Sequence, residues 1–131
     1  MVLLFASCTF VSRGSVVVGG NDTNSTHRVT DDEVALVIAP VLERHGLQAA
    51  WSWKKANGPC TAARGCSWAL DNGMQPWVLV ASLSSGQVKV SIEARHDMPG
   101  PDSRIRNLTK DVAKALRAHF GSDHVVIERE N

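Results

Sequence analysis

Apolar residues recur along this chain at two spacings, and the change from one to the other marks out its elements. Val34, Val37, Ile38, Val41 and Leu42 follow one another at helical spacing, which predicts a helix with one buried face. Thr30 stands three residues before Glu33, the pattern of a capping box, and Asp31, Asp32 and Glu33 place negative charge at the positive end of the helix dipole. Gly46 supplies a stop, with Leu47 positioned to fold back on the last turn. Pro40 falls inside the run and predicts a bend or a late start. A second helix is expected beyond the breaker run Met98–Pro101, capped by Asp102 or Ser103. Ile105, Leu108, Val112, Ala115, Leu116 and Phe120 line one side of it, and Gly121 ends it.

Between the helices the period shortens to two. Leu47, Ala49, Trp51 and Trp53 alternate with polar or small neighbours, the pattern of a half-buried strand. A long connection over residues 55–73 follows, with strand-like Cys66–Leu70 inside it. Trp77–Leu83 and Val88–Ala94 read as two strands of a hairpin turning at Ser84–Gln87. In the second of these, Val88, Val90, Ile92 and Ala94 point inward while Lys89, Ser91 and Glu93 point outward. Val125–Ile127 adds a short strand after the second helix, and Val16–Val18 offers an optional one before the first. The order predicts an α+β fold: an antiparallel sheet of about four strands with two helices packed on one face. With the optional first strand it approaches a ferredoxin-like βαββαβ plan carrying an extra segment. That fold hosts many unrelated functions and names none of them.

Composition narrows the class. The 131 residues are 44% hydrophobic and 21% charged, the make-up of one globular domain. Lys and Arg number 14 against 13 Asp and Glu, a net of +1, which disfavours a general nucleic-acid-coating protein. No apolar run approaches the roughly 20 residues of a membrane-spanning helix.

The N-terminal region carries a more specific signal. Leu3, Leu4 and Phe5 precede the small residues Ala6 and Ser7 and then Cys8. The stretch LFASC at residues 4–8 resembles the lipobox of bacterial lipoproteins. The resemblance implies removal of residues 1–7, lipidation of Cys8 and an envelope location facing the periplasm, with the membrane as a partner through the anchor. Read from the residues alone, Leu3 to Phe5 equally fit the edge of a buried strand, with Cys8 a core thiol. The polar, breaker-rich stretch after Cys8 (Ser12, Gly14, Ser15, Gly19, Gly20, Asn21, Asp22) predicts a flexible tether over residues 9–29. The domain plan is therefore a truncated signal over 1–8, a tether over 9–29 and a single α+β domain over 30–131. Asn-x-Thr triplets at Asn21, Asn24 and Asn107 occur by chance in such sequence and are given no role.

Cys60 and Cys66 bracket five residues rich in small and turn-forming types, so a disulfide closing a small loop is expected. In the chain-entropy model it would stabilise by about 2–2.5 kcal/mol. A lipid on Cys8 removes the odd cysteine from the count, since one is anchored and two are paired. Two reduced thiols in the cytoplasm are the alternative.

Candidate contact residues are of two kinds. Four tryptophans stand without any tyrosine, and although core packing accounts for most such rings, Trp68, Trp51 and Trp53 form a possible contact surface, Trp68 foremost. Arg106, Lys110, Lys114 and Arg117 fall along one face of the second helix, with Arg104 nearby. That row suits anionic head groups or phosphates, or is simply the solvated side of an amphipathic helix. Nucleic acid is disfavoured because no aromatic residues interleave with the row.

Chemistry is thinner. His27, His45, His96, His119 and His124 lack metal-ligand spacing, so no metal is expected, and no cofactor motif is present. His96 and Asp97, expected on a loop, are the nearest approach to an acid–base pair. The sequence points to a non-catalytic, protein- or ligand-contacting role in the envelope. Its rivals are a cytoplasmic module binding nucleic acid or another anion, and an unrecognised small enzyme.

Overall fold

Nine residues that look like part of a tether instead form a central strand. In the computed structural model, which describes residues 10–19, 29–49, 66–70, 76–96 and 103–129, the first element is β1, Phe10–Val18. It is followed by α1 (Asp31–Arg44), β2 (Leu47–Ala49), β3 (Cys66–Leu70), β4 (Trp77–Ser82) and β5 (Val88–His96). Then come α2 (Ser103–Phe120), a single 3-10 turn (Ser122–His124) and β6 (Val125–Arg129). The six strands form one antiparallel sheet in the order β2-β3-β4-β5-β1-β6. The fold is α+β, as the pattern predicted. The sheet reaches six strands because the optional segment Val16–Val18, extended back to Phe10, and the strand-like stretch Cys66–Leu70 both join the ladder.

Setting aside β2 and β3, the order β6-β1-β5-β4 is that of the ferredoxin-like βαββαβ plan. The extra segment is the antiparallel pair β2-β3, inserted between α1 and β4 and added at the β4 edge. The predicted strand from Leu47 to Trp53 is described only as far as Ala49; Trp51 and Trp53 lie outside the described residues.

The expectation of a tether over residues 9–29 needs correction from Phe10 to Val18. β1 pairs with β5 along its full length, from Phe10 opposite His96 to Val18 opposite Val88, and with β6 on its other side. Its small residues serve close packing rather than flexibility. Ser12 is buried, and Gly14 lies beneath α2, where a Cβ would overlap the Thr109 hydroxyl. Thr109, itself fully buried, donates its hydroxyl to the Ile105 carbonyl (2.6 Å), so its position is fixed by its own helix.

The alternation of β5 sets the two sides of the sheet. Val88, Val90, Ile92 and Ala94 are buried and stand opposite Val18, Val16, Gly14 and Ser12 of β1. Val78 and Val80 of β4 and Val125 of β6 continue that apolar side. Val34, Ala35, Ile38, Val41 and Leu42 of α1 and Ile105, Leu108, Val112, Ala113 and Leu116 of α2 join the same core cluster. The opposite side of the sheet is mixed: Arg13 reaches Glu93 (3.7 Å) across the β1–β5 pair, and Lys89 reaches Glu128 of β6 (3.1 Å).

Helix ends follow their signals. The Thr30 hydroxyl accepts from the Glu33 N–H (3.2 Å). Gly46, at a φ of 84°, donates its N–H to the Glu43 carbonyl (3.0 Å), and buried Leu47 starts β2 directly after it. Pro40 neither delays the start nor ends α1. Pro40 and Leu36, whose carbonyl loses its helical partner to the proline, are both exposed, so that carbonyl faces solvent.

Candidate functional site

Two places in the structure carry chemistry beyond packing. The first is the outward side of α2. At 3.6 residues per turn, Arg106, Lys110, Lys114 and Arg117 fall within an arc of about 80° and a length of about 16 Å. Arg106, Lys110 and Lys114 are exposed and Arg117 is partly so, while Ile105, Leu108, Val112 and Leu116 occupy the buried side. The helix holds five Lys and Arg against one Asp, whereas the whole chain has a net of only +1. The positive charge is thus gathered on one element, and the remainder of the chain is net acidic.

The seam between the helices is bridged at two points. His45, just past α1, meets Asp111 (Nε2 to Oδ2, 2.8 Å), and His119 meets Glu33 (Nε2 to Oε1, 3.4 Å). Both contacts are solvent-accessible, which limits each to roughly 0–1 kcal/mol. They set the two helices side by side and leave the basic row on the outer surface.

The second place is the first turn of α1. Asp31 is buried and its Oδ1 accepts from the Asp32 N–H (2.9 Å). Its Oδ2 and the Oδ1 of Asp32 are buried without a hydrogen-bond partner. Burial, and secondarily the charge of Asp31, push the Asp32 carboxyl above the usual carboxylate range. The sign follows: a carboxyl raised in the folded state costs stability when ionised, and that cost disappears as pH falls through its raised pKa to its unfolded value. Asp32→Asn is therefore expected to be at least as stable as the parent at neutral pH. Its advantage should vanish on acidification, read by urea unfolding of both proteins across the carboxylate range; an advantage independent of pH would contradict the assignment.

The sequence-predicted residues are not gathered into one site. Cys8, Cys60, Trp51, Trp53 and Asp97 lie outside the described residues, and with them the lipidation, the Cys60–Cys66 pairing and the His96–Asp97 pair. Cys66 opens β3 opposite Val80, and Trp68 lies in the same strand opposite Val78 and Ala49. His96 is the last residue of β5, opposite Phe10, and not part of a loop. Trp77, expected only to begin the hairpin, is 37% exposed on the mixed side of the sheet, opposite Glu93. The alternation of β4 around Val78 and Val80 is the signal that could have placed it there. Among the described residues, no group of three His, Cys, Asp or Glu could hold a metal ion. No helix among them is long and apolar enough to cross a membrane. Comparison of the chain with known protein families, with characterised proteins and with solved structures finds no match.

Proposed function

We propose that the chain is a small envelope-anchored lipoprotein domain with a non-catalytic role, contacting another envelope protein or a ligand while held to the membrane through Cys8. The LFASC stretch at residues 4–8 carries this reading. The fold adds a physical consequence. Phe10 is already in β1, so at about 3.3 Å per residue a lipid on Cys8 would stand within about 7 Å of a strand paired on both sides. Such an anchor would hold the domain close against the bilayer rather than at the end of a long leash.

The intact mass of the protein from its native host, before and after reduction and alkylation, tests the proposal. The expected result is loss of residues 1–7, an added diacylglycerol or triacyl mass on Cys8, and one disulfide between Cys60 and Cys66. An unmodified chain with three free thiols would overturn it. The cytoplasmic anion-binding module, supported by the exposed basic row of α2, would then be the better reading.

A further inference from the structure

The basic row of α2 lies on the outermost layer of the fold, on the side of the helix turned from the core. None of Arg106, Lys110, Lys114 and Arg117 is held by an ion pair with a described carboxylate. At the helix seam, Asp111 and Glu33 are engaged instead by His45 and His119. Asp111 and His119 mark the flank of α2 that meets α1, and at 3.6 residues per turn the centre of the basic row lies roughly 145° around the helix from that flank, so the row faces away from α1. A row of cations about 16 Å long, exposed or partly so, fits a surface of repeating anionic groups such as head-group phosphates.

The topology also relates this row to Cys8. Phe10 pairs with His96 at the end of β5, and α2 begins seven residues after His96. At the far end of the sheet, Val18 pairs with Val125 just after α2, and the Gly19 N–H donates to the His124 carbonyl (2.8 Å). β1 and α2 therefore run in the same direction, in contact at Gly14 and Thr109. The chain from Cys8 enters the fold at the end where the row begins, at Arg106.

From this arrangement we infer that the outward side of α2 docks on an anionic phospholipid bilayer, with Arg106, Lys110, Lys114 and Arg117 against head-group phosphates. The inference rests on the membrane-anchored reading, to which it adds the orientation of the domain: lying on α2, with the sheet turned to the aqueous side. A diacylglyceryl or triacyl group on Cys8 already supplies the two or more chains that stable anchoring needs, so the basic row would act by fixing the orientation of the domain on the bilayer.

The test uses the full chain with Cys8 unacylated, sedimented at low salt with phosphatidylcholine vesicles with and without phosphatidylglycerol. Sedimentation with the anionic vesicles only is expected. Lys110→Gln with Lys114→Gln should weaken it about 25-fold, from the contribution of each cation near a charged surface. Arg95→Gln with Arg129→Gln removes the same charge from β5 and β6 and should change it less than about twofold. All four positions are exposed, so circular dichroism of both variants should match that of the parent. Failure to bind anionic vesicles, or equal losses from the two pairs, overturns the inference. So does displacement by duplex DNA at a lower phosphate concentration than free phosphatidylglycerol vesicles require, which would assign the row to nucleic acid. Because Cys8 is unacylated throughout, these outcomes are independent of the mass measurement, and failure of the docking is distinguishable from failure of the anchor.

Discussion

Gly14→Ala is expected to lose about 2–3 kcal/mol, although alanine is ordinarily the better residue inside a regular element. Gly14 sits in extended backbone of β1, so the cost does not come from its φ. It comes from α2, which approaches so closely that the added Cβ would overlap Thr109 Oγ1 and crowd Thr109 Cβ (3.1 Å) and Cγ2 (3.3 Å). Thr109 cannot swing aside freely, since its hydroxyl is bonded to the Ile105 carbonyl and its side chain is fully buried. The helix must lift from the sheet, or the threonine must leave its rotamer and break that bond. Thr109→Ala removes two of the three crowding atoms, so the double variant should be more stable than the sum of the single losses requires. Urea unfolding of the four proteins in this cycle gives the coupling directly. Additive losses would show that Gly14 is there for another reason.

Leu108→Ala should be at least as damaging, at about 2–5 kcal/mol, because it removes three carbons from a fully buried position. Leu108 belongs to the core cluster shared by both helices and the apolar side of the sheet, with Val16, Ile38 and Ile92 in the same cluster. Because that cluster draws on both helices and on several strands, a void in it is not expected to close by shifting one loop. Leu36→Ala provides the contrast. The same chemical deletion at a side chain 69% exposed should fall within about 0.5 kcal/mol of the parent. Unfolding midpoints of the two variants measured together test the assignment of sides on the helices, and equal losses would show that α1 or α2 is packed in a different rotation.

Much of this architecture is legible in the order of the residues. The helix α2 shows its buried stripe through Ile105, Leu108, Val112 and Leu116, and β5 shows both sides of the sheet by strict alternation. Thr30 and Gly46 mark the ends of α1 as their chemistry demands. β1 was obscured for a physical reason. Ser12, Gly14 and Ser15 are small because a helix and neighbouring strands crowd them, yet small polar residues have the same composition as a flexible linker. Packing against a distant element leaves no periodic trace when the packed residue is a glycine.

The candidate chemistry was legible unevenly. The basic row appears in the sequence at its spacing and is exposed in the structure, because a helix fixes the faces of its own residues. Asp31 and Asp32 read as ordinary charges favouring a helix start, and only the fold shows that two of their oxygens are buried without partners. Trp77 was placed on the right strand, and its exposure follows from a register that depends on where β5 lies.

The placement of β1 also bears on when the molecule can finish folding. Its partners on both sides are β5 and β6, made some 70 to 120 residues later, and it has no ladder of its own until they exist. During synthesis the hairpin β4–β5 can form locally, while the N-terminal strand waits for β5 and closes the sheet only when β6 arrives. A sheet of this wiring stays open at β1 until the chain through β6 has been made.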